Sequence, residues 1–307
     1  MLENLYFWKR RGNGVSGRKT WLIIIISLLL IGAAGAGGWY YFVMLPAEKA
    51  REEMLARKRQ AAQKLQDDIA SVNKFYTTSL EGASIDQTIK FLTEVLESAQ
   101  RLEVLNLKYQ RFKCDTKNCS FGYQFDKGQV LVLPQKIFWD KTYMPSVPAN
   151  KKNSKNKNDF EFKNVVSKLN VNPLQKPYKN KKALNLRPCK DVVSYILTYN
   201  SFVKSTQGGR TGNRESKGKT GEFVIKGMPK SSVIALESQL TGKVKPYGLM
   251  TGKWELEVSS SGGEVHGIIV DMQKLLLKQA YRDAFLIKRI ESTDKGIKVS
   301  GGLVCKS

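Results

Sequence analysis

The chain has 307 residues, 41% of them hydrophobic, and a formal net charge of +24. That composition can build a core and excludes a disordered chain, while a single histidine makes the common His-based catalytic arrangements hard to assemble. The excess of lysine and arginine points either to an anionic partner or to a heavily solvated basic surface.

Residues 1–20 carry Lys9, Arg10, Arg11, Arg18 and Lys19 against Glu3. Residues 21–45 then read WLIIIISLLLIGAAGAGGWYYFVML, a run without a charge. At about 1.5 Å per helical residue this run crosses a hydrocarbon core of roughly 30 Å. Trp21 at one end and Trp39, Tyr40 and Tyr41 near the other are interfacial residues. A cleaved signal peptide is the competing reading, with Ala34-Gly35-Ala36 as its cleavage site, but the apolar run continues well past that site and favours a retained anchor. Beyond it, Lys49, Arg51, Arg57, Lys58 and Arg59 are offset by Glu48, Glu52 and Glu53, so the larger basic excess precedes the span and predicts a cytoplasmic N-terminus. Within the span, Gly32 and Ala36 lie four residues apart, a spacing that lets a partner helix approach closely.

Residues 46–80 read as a long exposed helix. Leu55, Ala62, Leu65, Ile69, Val72 and Tyr76 follow coiled-coil spacing, and Leu65, Ile69 and Val72 are the candidate pairing positions. Packing of this helix on its own domain is the alternative. Residues 81–143 form a first α+β unit. Gly82-Ala83-Ser84 breaks the helix, and Ser84 caps a second one whose apolar face is Ile85, Ile89, Leu92, Leu96 and Ala99. Strands follow at 104–112, 120–125 and 129–133.

Residues 144–188 read as a flexible basic linker, with twelve lysines and arginines against Asp159 and Glu161 over 144–190, a balance of +10. One helical turn is expected there near 164–169. Residues 189–307 form a second α+β unit: a helix over 191–203, a strand over 222–226, a helix over 231–240, strands over 253–259 and 264–270, a helix over 271–281, and a hairpin of 284–291 with 296–305. Both units contain a helix feeding a two-stranded hairpin with a charged tip, which suggests a duplicated ferredoxin-like α+β architecture.

Four cysteines on a translocated domain predict two disulfides among three possible pairings, of which Cys114–Cys119 with Cys189–Cys305 is favoured. There is no C-x-x-C, so no metal set is expected. His266, in GGEVHGIIV, is placed on a strand as a structural residue rather than a base. Gly218-Lys219-Thr220 fails the phosphate-loop pattern because Asn213 stands where glycine is required. Neither a cofactor nor an enzymatic activity is expected.

One short basic span, one membrane helix, a membrane-proximal seam and the strand leading into a close cysteine pair in YQRFKCDTKNCSFGYQF belong together. This combination resembles the PilN- and PilO-type bitopic inner-membrane proteins of type IV pilus assembly, those of type IVb pili above all, and their type II secretion counterparts. The segment Asn4-Leu5-Tyr6-Phe7-Trp8-Lys9 is similar to the cytoplasmic N-L-x-P-W-R peptide with which PilN-type proteins dock on an actin-like ring protein. Here Phe7 replaces the proline and Lys9 the arginine; an amphipathic, interface-seeking start is the other reading of these residues. The resemblance implies a structural component, anchored in the bacterial inner membrane with its bulk in the periplasm. Its partners would be other inner-membrane pilus assembly proteins, an actin-like ring protein or an assembly ATPase, in a homo- or hetero-oligomer. The rival is a nucleic-acid or membrane-surface binding component of a DNA-transfer apparatus. Only Phe160, Phe162 and Tyr178 lie among the linker lysines, a poor stacking platform for single strands.

Overall fold

The computed structural model describes residues 17–103, 107–125, 136–139, 141–146, 159–208, 221–259, 265–293 and 296–307. Two compact units divide at Asp67 and Asp68, inside one long helix. The first holds α1 (Gly17–Trp39), a π-helical turn (Tyr40–Met44) and the opening turns of α2 (Leu45–Ser79). Pro46 cannot donate to the carbonyl four residues back and its ring crowds that turn; the wider π turn just before it absorbs the misfit without ending the helix. This one N-terminal helix is long and apolar enough to cross a membrane.

The second unit is α+β and carries one antiparallel sheet of seven strands in the order β5-β2-β1-β8-β9-β7-β6. The strands are β1 (Leu107–Asp115), β2 (Asn118–Phe125), β5 (Asp159–Val166), β6 (Phe223–Lys230), β7 (Leu249–Ser259), β8 (Phe285–Thr293) and β9 (Gly296–Lys306). A separate hairpin pairs β3 (Lys136–Phe138) with β4 (Lys141–Tyr143). Helices α3 (Ile85–Glu103), α5 (Cys189–Gly208) and α7 (Val265–Leu277) pack on the sheet, while α4 (Gln175–Lys179) and α6 (Ile234–Gln239) are short.

Both helix-plus-hairpin modules expected from the sequence are present, as α3 with β1–β2 and α7 with β8–β9. They share one sheet, because Lys113, Cys114 and Asp115 of β1 pair with Glu291, Ile290 and Arg289 of β8. The two helices also meet, where Gln273 Nε2 donates to the Ile89 carbonyl (3.2 Å) and to Thr93 Oγ1 (2.9 Å). Ser84 caps α3 as expected, its Oγ accepting the Gln87 amide at 3.2 Å.

Between these helices and the sheet lies a core rich in rings. Phe112, Phe121, Tyr123, Phe160 and Phe162 fill the β1–β2–β5 end, and Phe223, Trp254 and Phe285 pack mutually at 5.1–5.4 Å at the other. Burying aromatic area on this scale dominates a core of this size.

Three segments differ from the sequence reading. Residues 144–188, expected as a flexible linker, supply β5, which pairs with β2 and buries Phe160, Phe162 and Val165. The spacing of Phe160 and Phe162 is a strand signal that the surrounding lysines obscure. The expected turn at 164–169 is therefore strand and loop, and the helical turn falls later, at α4. The strand expected over 264–270 is the start of α7: its β-branched residues read as strand, but Ile268, Ile269, Met272 and Leu276 bury one helical face. His266 accordingly sits on a helix, half-buried. The expected strand at 129–133 and the lysines at 151–157 lie outside the described residues.

The rest of the former linker staples the domain. Asn172 is buried, its Nδ2 donating to the carbonyls of Leu80 (2.9 Å) and Gly82 (2.7 Å) while its Oδ1 accepts from the Leu174 amide. It thereby satisfies the turn between α2 and α3, where Gly82 adopts φ +124° and a Cβ would stand 2.8 Å from the Ile287 carbonyl. Asn172→Ala leaves the Gly82 carbonyl without its donor and the Leu80 carbonyl with only a long 3.4 Å contact from Gln175 Nε2, and is expected to destabilise the domain by about 1–3 kcal/mol, read from urea unfolding.

Candidate interaction surfaces

Along α1 and the π turn, side chains from Trp21 to Met44 are exposed, apart from half-buried Ile25 and Gly38. Ser27 Oγ donates to the Ile24 carbonyl at 2.9 Å, so its hydroxyl is satisfied within the helix, as a hydrocarbon surrounding requires. Gly32 and Ala36 are both exposed one turn apart, and nothing lies within 4 Å of a Cβ built at Gly32. The surface there is open to lipid or to another helix.

The seam on α2 divides in two. Met54 and Leu55 are exposed at 60% and 53%, and Ala62 is exposed as well. Leu65 and Ile69 are half-buried, whereas Val72 and Tyr76 are fully buried. Val72, predicted as a pairing position, is thus core of the second unit and unavailable to a partner. The heptad pattern is the same for both fates, since a helix docked on its own domain also needs one apolar stripe.

Both favoured disulfides are formed, Cys114–Cys119 and Cys189–Cys305. Cys114 and Cys119 are direct cross-strand partners, and Asp115 turns the tip by accepting the amides of Lys117 (2.7 Å) and Asn118 (2.8 Å). Burial pushes the Asp115 carboxyl up, but those amides and Arg289 outweigh it and hold the group below its usual range. Cys189 opens α5 and reaches Cys305 on β9, beside the Lys306 amide that donates to the Arg187 carbonyl. The candidate cytoplasmic residues Asn4, Leu5, Phe7, Trp8 and Lys9 lie outside the described residues.

The sequence reading missed a cleft of about 560 Å³ at the end of α2. Tyr76, Tyr178 and Tyr247 meet there with ring centroids 5.1–5.9 Å apart. The Tyr76 hydroxyl donates to the buried Glu237 carboxylate and accepts the Tyr247 amide at 3.3 Å; the Gly248 amide donates to the other Glu237 oxygen at 3.2 Å. Burial, then the hydrogen bond to Glu237, raises the Tyr76 hydroxyl well above its usual pKa, and burial raises Tyr247 too. Tyr178 donates to the Asn73 carbonyl at 3.4 Å. Lys179, Lys181, Lys243 and Lys245 stand exposed around these rings. Their one signal in the sequence is a repeated tripeptide, Lys176-Pro177-Tyr178 and Lys245-Pro246-Tyr247, too short to weigh without knowing that the copies meet.

No family model, curated protein or solved structure matches this chain.

Proposed function

We propose that this chain is a structural component of a type IV pilus or related secretion machine in the bacterial inner membrane. The N-terminus lies in the cytoplasm and the α+β unit in the periplasm, and the chain links the two sides by protein–protein binding rather than catalysis. The observation that carries this reading is the apolar surface left open on one helix, from the span of α1 to Met54 and Leu55 of α2. Isolated helical segments are marginal in water, so the exposed part of α2 calls for a partner helix, paired as a coiled coil. The two helix–hairpin modules of the sheet are read as diverged ferredoxin-like halves. The peptide Asn4–Lys9 would meet an actin-like ring protein or an assembly ATPase.

Leu55→Lys with Leu65→Lys is expected to abolish recovery of partner proteins after mild detergent extraction, and with it surface filaments, while the α+β unit keeps its melting temperature. Normal partner recovery from that variant would sink the proposal. The charge of +24 keeps a second reading in view, a nucleic-acid binding component of a DNA-transfer apparatus. Steep loss of DNA binding with rising salt in a filter assay would favour it.

A further inference from the structure

We infer that the tyrosine–lysine cleft is a docking site for an acidic, extended segment of a partner protein. This goes beyond the assembly reading and does not depend on it. Three observations converge. The two Lys-Pro-Tyr copies, far apart in sequence, bring Tyr178 and Tyr247 to 5.8 Å across the cleft. Among the described residues, Lys179, Lys181 and Lys243 stand in no ion pair, and Lys245 spends its ammonium on the Lys181 carbonyl at 2.8 Å. The nearby carboxylate, Glu237, is buried beneath Tyr76 and offers these lysines no counter-charge at the surface.

The third observation is a backbone choice. α4 ends in a Schellman turn: the Lys182 amide donates to the Pro177 carbonyl (2.8 Å) and the Lys181 amide to the Tyr178 carbonyl (2.9 Å). That motif places Lys181 in the left-handed region, φ +51°, where glycine is the favoured residue. The same cleft uses glycine at such a position nearby, Gly242 with φ +85°. The turn itself does not call for a lysine there, and at the rim of a cleft of this size the side chain supplies a charge that glycine would not.

The chemistry favours carboxylates on a peptide. The three rings meet at interplanar angles of 59–83°, tilted or edge to face, so they offer no parallel stack for successive bases. The cations are lysines, separate point charges on flexible stems, not arginine forks gripping one phosphate. Tyrosine and proline surfaces suit an extended backbone, with the ammonium groups reading its acidic side chains.

The test uses the full-length oxidised chain in neutral detergent and a short fluorescein-labelled peptide of Glu, Asp and Gly, followed by anisotropy at fixed salt. Lys179→Gln, Lys181→Gln and Lys243→Gln together are expected to weaken binding about tenfold, against less than about twofold for Lys64→Gln, Lys90→Gln and Lys278→Gln, which remove equal charge elsewhere. Lys181→Gly alone is expected to keep or raise the melting temperature while weakening the peptide. Equal losses in the two triple variants would reduce the effect to bulk charge and overturn the site, as would no binding by the unmodified chain. A melting temperature lowered by Lys181→Gly with affinity intact would give that lysine a structural role and overturn its part in the site. Tighter binding of an oligothymidylate, lost in the cleft variant alone, would make the occupant nucleic acid and overturn the peptide proposal.

Discussion

Replacing Cys189 and Cys305 together by alanine lowers the melting temperature of the oxidised chain by about 10–20 °C, on the scaling of 2–4 °C per kcal/mol for a domain of this size. The bond closes a loop of 116 residues in sequence separation. In the chain-entropy account a loop of that length restricts the unfolded ensemble by about 4–5 kcal/mol. The position adds to the effect, because the bond ties the first residue of α5 to the buried face of β9, where Cys305 is fully buried. Cys114 and Cys119 are five residues apart and already held by strand pairing, so the same replacement there costs only about 2 kcal/mol. Calorimetry of both double variants in detergent checks the ranking. Reductant added to the unmodified chain should reproduce the larger shift, and a melting temperature indifferent to reductant would show that the long-range bond is not formed.

Val72→Asp unfolds the α+β unit instead of detaching a partner, with an expected destabilisation of about 3–5 kcal/mol. Val72 is fully buried, at 0% accessibility, about one helical turn past the domain boundary. One turn further on, Tyr76 anchors the same helix end through Glu237 and Tyr247. A carboxylate at this fully buried position must either lose its water or pull the helix end out of the core. Leu55→Asp, at a site 53% exposed, should change unfolding free energy by no more than about 0.5 kcal/mol. Fluorescence of the buried Trp254 during urea unfolding separates the two. If Val72→Asp leaves the midpoint unchanged, the end of α2 does not belong to the domain core, and the whole helix returns to being a pairing surface.

Local signals were legible in the residues alone. The charge-free span, the Ser84 cap, the α3 face, the hairpin tips and the β8–β9 pair each depend on neighbours within a few turns, where propensity, periodicity and turn chemistry act directly. The cysteine pairing was legible for a related reason: few cysteines leave few combinations, and a close pair flanking a turn pairs with itself. Tertiary structure decided the rest. β1 joins β8 through backbone hydrogen bonds, which leave no side-chain signature and so turned two expected units into one sheet. β5 was hidden by flanking lysines because strand identity there comes from the edge of β2 that it covers. The run beginning Val265 became helix because burial of Ile269, Met272 and Leu276 against the sheet outweighs β-branched propensity. Val72 and Leu55 carry the same periodic signal and part company only because the domain ends between them. The two Lys-Pro-Tyr tripeptides acquire meaning only when chain folding closes nearly seventy residues of sequence separation and sets Tyr178 and Tyr247 each edge-on to Tyr76.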